Sequence, residues 1–547
     1  MESLRKEDGG PLSMRRKWVA ILAFALLPSV ANANTPTITE IDVRIFEGAL
    51  QEGWFRPSFL GINIPKEGSS STDQHLCLEF GAGDCGFGFE RNFNYFGTVV
   101  YPPCLVTGSG PCIEKFELRR SASNWEEVEY LRSVNAPTRS AEEKIGFPAA
   151  GSMSLWRSKS VLHQGGAGSY AIYVMSEGSA NRDGSWTSPG IQARIVPFVE
   201  SAGSFNEIAL GASKSTVFNG VDYGMRITTT GSFAAGSIWS DRSGKGTRAE
   251  WSEGVEARLT LRVPSSASGW IGGRLSGVDF ELTPISEKLN RLRITGSPIS
   301  VAEVEVKIPL ADVPQKLKQV YPGIDPPVIG AYFSAGSKHA VAARALEALR
   351  EYTNDKATRT RTVWGFETVD STANKCLADT NRIVGFVSTN ALAYTNSAPT
   401  FAEGRLKYAV ASMHRNEKGD VIRGSYDLVI RSDAARCLYG FSNAPIEAVV
   451  SVTYGDKEQN ISTTASGERD GWLFISAKNF TYSSPSIEVA LSQPKASPTP
   501  TPSATSTTSS TTKKAVSKKT ISCIKGSTVK KVTATSPKCP AGFKKRS

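Results

Sequence analysis

Eight cysteines, four histidines and two knots of carboxylates are the side chains from which this sequence could build chemistry. The cysteines come in pairs. Cys77 and Cys85 are separated by seven residues, as are Cys104 and Cys112, while Cys376 with Cys437 and Cys523 with Cys539 stand further along the chain. Paired zinc ligands keep about two to four residues between them, so these spacings point away from a metal and towards disulfides in an oxidising compartment. Both short loops are filled with turn-forming residues, Gly81-Ala82-Gly83-Asp84 in one and Gly108-Ser109-Gly110-Pro111 in the other. Local closure as Cys77–Cys85 and Cys104–Cys112 is therefore expected, with three connectivities open to these four. Cys376–Cys437 would close a long loop, worth ~4 kcal/mol on the chain-entropy model, and Cys523–Cys539 would tie the C-terminal end.

The histidines, His75, His163, His339 and His414, contain no pair at metal-ligand spacing, and no metal or cofactor is expected. Ser243-Gly244-Lys245-Gly246-Thr247 has the look of a phosphate loop, but its lysine is not followed by Ser or Thr and no helix pattern follows. Nucleophile-elbow and calcium-loop patterns are absent from the sequence. That leaves the carboxylates. Glu250, Glu253 and Glu256 cluster near Trp251, and Asp279 and Glu281 share a strand face near Trp270. Two acids beside aromatic platforms are what a glycosidase needs. Solvated β surfaces carry the same pattern, and that reading is preferred. A run of aromatics (Phe80, Phe87, Phe89, Phe93, Tyr95, Phe96, Tyr101) could stack on a glycan, although filling a small disulfide-tied core is the simpler role.

These residues sit in a chain patterned for β-structure. Val255–Val263 places Ala257, Leu259, Leu261 and Val263 on one face and Glu256, Arg258, Thr260 and Arg262 on the other. Val301–Ile308 repeats the alternation, its charges read as solvated cross-strand pairs. Further runs at Ile41–Phe46, Thr98–Tyr101, Tyr170–Met175 and Ile191–Phe198 read as strands. Seven more, evenly spaced between Thr362 and Leu491, suggest a β-sandwich. One segment breaks the pattern. Lys338–Tyr352, capped by Ser337, carries Val341, Ala345, Leu349 and Tyr352 as a helical stripe and should join two domains or cover a sheet. The fold expected is all-β, mainly antiparallel and sandwich-like, with one connecting α-helix. The body divides into 34–200, 201–330, a helical connector 331–361, and 362–492.

Both ends depart from this. Arg15, Arg16 and Lys17, the apolar run Trp18–Val30 and Ala31-Asn32-Ala33 make residues 1–33 a signal peptide cut between Ala33 and Asn34, with translation expected from Met14. Residues 493–520, rich in Ser, Thr, Pro and Lys, cannot bury enough surface to offset their ordering entropy and read as a disordered stalk. Beyond it lies a basic two-cysteine module, 521–547. From residue 513 onward the chain has no acid and eleven bases: Lys513, Lys514, Lys518, Lys519, Lys525, Lys530, Lys531, Lys538, Lys544, Lys545 and Arg546. Residues 34–512 hold 47 bases against 49 acids. Polyanion attraction therefore belongs to the tail. An anionic envelope polymer or lipid headgroup is its expected partner, against the alternative of a tail that only solubilises the protein. Nucleic acid is not, since Phe543 alone could stack on a base.

The segments Pro103-Cys104, Cys112-Ile113-Glu114, Phe147-Pro148 and Leu155-Trp156 are joined by Asn374–Thr380, Ala435–Phe441 and Gly471-Trp472-Leu473. With the ending Ile521–Gly526 and Lys538–Phe543, they make the chain resemble uncharacterised exported proteins of free-living actinobacteria. That resemblance implies a secreted or cell-surface location and no activity. The sequence thus points to an exported, disulfide-stapled protein acting by binding or display, with a glycan as the candidate ligand of its body, against the alternative of an envelope enzyme using paired carboxylates. Thiol titration of the denatured, unreduced mature protein should find no free thiol; two or more per chain would overturn the disulfide framework.

Overall fold

A computed structural model describes most of residues 39–493 and 519–545. Residues 1–38, 47–57, 66–71, 78–93, 202–214, 227–236, 321–329 and 494–518, with some shorter stretches, lie outside the described residues. The residues expected to form the signal peptide, with Ala33 and Asn34, and those expected to form the stalk, with Lys513, Lys514 and Lys518, are among them, as are Cys85, Phe80, Phe87, Phe89, Phe93, Ser337 and Arg546. The chain forms two compact units, Met1–Pro494 and Lys495–Ser547.

Strands dominate, mostly antiparallel, as the alternation requires. Val255–Pro264 buries Val255, Ala257, Leu259, Leu261 and Val263 and leaves Glu256, Arg258 and Arg262 half-exposed. In the body one continuous sheet runs Thr72–Leu76, Phe59–Pro65, Asn94–Val100, Ser169–Ala180, Gln192–Ser201, Gly365–Val369. It continues through Gly269–Pro284, Ile383–Thr389, Gly424–Arg431, Trp472–Phe480 and Ala465–Arg469. A second sheet joins Glu126–Glu127, Cys112–Arg120, Val255–Pro264, the start of Leu289–Pro309 and the far half of Gly269–Pro284. A third contains Ala393–Tyr394, Arg405–Ala411, Ser486–Ser492, Glu447–Tyr454 and Lys457–Asn460.

The first of these sheets is covered on both faces. Val429 faces a core shared with Phe116, Leu259, Phe280, Ile294 and Phe386. Its neighbours Leu428 and Ile430 face another, with Tyr408, Val410, Ile487, Val489 and Leu349. Helix His339–Thr353 closes this second core with Ala342, Ala345, Leu346, Ala348 and Leu349. The helix is a cover for that core. Tyr352, expected in its apolar stripe, is 40% exposed and donates its hydroxyl to the carbonyl of Asp312. A second helix, Ser432–Tyr439, was not foreseen. It ends at Gly440, whose left-handed φ of 64° suits a residue without a Cβ.

Two expectations need correction. The divisions at 200, 330 and 361 do not separate domains. Cys112–Arg120 pairs with Val255–Pro264, Glu40–Phe46 pairs with Leu289–Pro309 and, in parallel, with Gly330–Ser334, and Leu289–Pro309 goes on to Arg359–Val363. Partner choice crosses the composition breaks because the apolar faces of distant segments complete one another's cores. Secondly, the charges of Val301–Ile308 are not all solvated. Glu303 and Arg361 are 4% and 7% exposed and meet at 3.5 Å across the strand pair. A buried charge survives only when matched, and this register matches it.

Limited proteolysis of the mature protein should therefore release one body product ending near Pro494. Stable fragments ending near 200, 330 or 361 would contradict the shared cores.

Candidate functional site

The carboxylates singled out from the sequence are taken up by the body's own cations. Glu250 accepts from the Thr362 N–H at 2.6 Å and its hydroxyl at 2.5 Å, and from Arg248 at 2.8 Å. Burial alone would push its carboxyl up; Arg248, the Thr362 bonds and Arg361 overcome that and hold it below the ordinary value. Glu256 pairs with Arg119, Asp279 with Arg469 and Glu281 with Arg293. Glu253 is exposed. Trp251 and Trp270 are 2% and 0% exposed, and the Trp270 indole N–H donates to the Leu377 carbonyl at 3.1 Å. Neither ring is available as a sugar platform.

The outer face of the second sheet is charge-matched. Lys115 meets Glu117 at 3.1 Å, Arg291 meets Glu114 at 2.8 Å, and Trp125 lies against the guanidiniums of Arg119 and Arg258, 4.5 and 3.9 Å from its ring centre. A surface of this kind can recognise a partner and holds no activated nucleophile. His163 is buried, its Nδ1 accepting from the Gly165 N–H at 3.0 Å and its Nε2 facing the Phe198 carbonyl at 2.9 Å. Burial pushes its pKa down. His414 pairs with Asp355. Among the described residues no group of three or more His, Cys, Asp or Glu side chains is placed to hold a metal ion. Gly244–Arg248 is a strand between Ser237–Asp241 and Gln192–Ser201, so its glycines open no helix. Of the aromatic run, Tyr95 and Tyr101 are buried and Phe96 packs edge-on to Phe59.

Cys104–Cys112, Cys376–Cys437 and Cys523–Cys539 are disulfides, and Cys77 is disulfide-bonded as well. The last bridge organises the tail. Lys519–Lys525 pairs with Thr528–Ala534 on one side and Lys544–Lys545 on the other. Cys523 is fully buried, with Ile521 and Val532 half-buried opposite each other. Lys525, Lys530, Lys531, Lys538, Lys544 and Lys545 are all exposed. The register puts Lys530 and Lys545 on the Cys523 side and Lys531 and Lys544 on the opposite side. Positive charge therefore covers both faces of a thin sheet.

One acid the sequence reading passed over stands out. Asp427, in Gly424–Arg431, is 4% exposed and lines a cavity, and among the described residues no arginine forms an ion pair with it. Burial pushes its carboxyl up, opposed by Ser476, Lys478 and the Gly277 N–H. Its only sequence signal is a charge where the alternation calls for an inward side chain.

No protein-family model matches the chain, and no curated protein matches it in sequence. No helix among the described residues is long and apolar enough to cross a membrane.

The Glu250 cluster makes a pH prediction. A carboxyl held below its unfolded value adds stability that is present above the ordinary carboxylate range and is lost as pH falls through the folded pKa. Glu250→Gln should unfold more easily than the parent at about pH 7, with the gap closing by about pH 3. Urea titrations at both pH values measure it; a gap that does not narrow would refute the assignment.

Proposed function

We propose that this protein is exported and works at the cell surface by binding and display, without catalysis, and that its tail attaches it to an anionic polymer or lipid headgroup of the envelope. The observation that carries the reading is the tail itself: a three-stranded sheet pinned by Cys523–Cys539, with exposed lysines on both faces and no acid from residue 513 onward. A core this small needs its staple, and a 15-residue loop closed by a disulfide contributes about 3 kcal/mol on the chain-entropy model. Charge on both faces suits a flexible polyanion that can wrap the module better than a rigid groove that meets one side. The sequence reading of 1–33 as a signal peptide and the disulfides are in keeping with export. On the body, the charge-matched outer face and the dispersed carboxylates favour recognition over hydrolysis.

Deleting Lys513–Ser547 should release the protein from isolated cell envelopes. Retention of the full-length form should fall steeply as salt is raised, because the attraction is between screened surface charges. Equal retention of both forms at every salt concentration would overturn the reading.

A further inference from the structure

Asp427 sits at a split between sheets. Gly269–Pro284 pairs with Ile383–Thr389 over its first residues, then leaves to join Leu289–Pro309. Its register slips between Ser276 and Asp279, and Gly277 takes a φ of 67°, a left-handed value that favours glycine. This bulge stands against Gly424–Arg431 and Trp472–Phe480, and the Gly277 N–H donates to Asp427 Oδ2 at 3.1 Å. Asp427 lies opposite Ser476, and Val429 opposite Phe474, so all four side chains share one face, as does Lys478 two residues beyond Ser476. Between this face and the bulge is a cavity of about 390 Å³. Phe474, one of the lining residues, also lies 4.6 Å from the guanidinium of Arg469, which pairs with Asp279.

The donor set is mixed. Asp427 accepts, Lys478 donates, Ser476 does both, and Val278 and Phe474 offer apolar contact. One acid and one base leave the cavity without net charge, which disfavours a strongly charged occupant. A polyhydroxylated ring fits this chemistry: adjacent hydroxyls donate to a buried carboxylate and accept from an ammonium, while the C–H face rests on apolar side chains. The volume is at the small end of ligand pockets, which suits one ring.

We propose that this cavity binds a single sugar residue, as a free monosaccharide or as the end of a glycan chain, with Asp427 accepting its hydroxyls and Lys478 donating to them. The inference rests on reading the body as a binding body, whereas the envelope-retention assay reads the tail, so the two fail separately.

Saturation-transfer NMR on the mature protein, with glucose, galactose, mannose, N-acetylglucosamine and short oligomers of each, tests it. At least one of these should bind. Binding of the free sugar assigns the monosaccharide, and binding of oligomers alone assigns the chain end. Asp427→Asn and Lys478→Gln should each weaken that binding by roughly tenfold or more. The unfolding midpoint of each variant separates loss of binding from loss of fold: at a temperature well below that midpoint a folded variant should still lose the sugar, and a folded variant that keeps parental affinity counts against the site. No binding across the panel, parental affinity in both variants, or binding of glycine or alanine in place of the sugars would overturn the proposal.

Discussion

A sheet that is apolar on both faces cannot stand at a surface, and this requirement shapes the body. In Gly424–Arg431 the side chains of Leu428 and Ile430 enter one core and that of Val429 enters the other. Covering both sides takes two further layers. One is the sheet built on Val255–Pro264, and the other is the sheet built on Arg405–Ala411 with the His339–Thr353 helix. The layers are recruited from strands far apart along the body, which makes it one compact unit. Two of the carboxylates caught in this arrangement are matched locally: Glu303 meets Arg361, and Glu250 meets Arg248 and Thr362, which offsets the cost of burying them.

Much of this was legible in period-two alternation. The expected strands at Ile41–Phe46 and Val255–Val263 correspond to observed strands whose bounds differ by one residue. The all-β class follows from that. Strand partners were not legible, because alternation says which side chains turn inward and nothing about which distant strand they meet. The domain divisions failed for that reason. Tyr352 illustrates the same limit on a helix: its spacing put it on the apolar stripe, yet the last turn extends past the core it covers.

The chemistry was less legible than the fold. Glu250, Glu256, Asp279 and Glu281 drew attention by clustering in sequence, and each turns out to be committed to a cation. Asp427 gave no cluster to notice. Its setting is made by three strands: residues 427 and 476 are ladder partners, and the third strand meets Asp427 at its register slip, through the Gly277 N–H. The tail was the opposite case, since a run of lysines without acids announces its electrostatics in composition alone.

The pairing of Glu40–Phe46 with residues 304–309 of the chain has a kinetic side. The first strand of the body has no sheet to join until the chain is more than half made, and the layers that cover that sheet run on to Ser486–Ser492. Contacts so distant along the chain must wait for large loops to close, and proteins rich in them fold slowly. The sheets of the body can therefore close only late in synthesis, and until then long apolar strands lack their partners, the kind of exposure that favours aggregation.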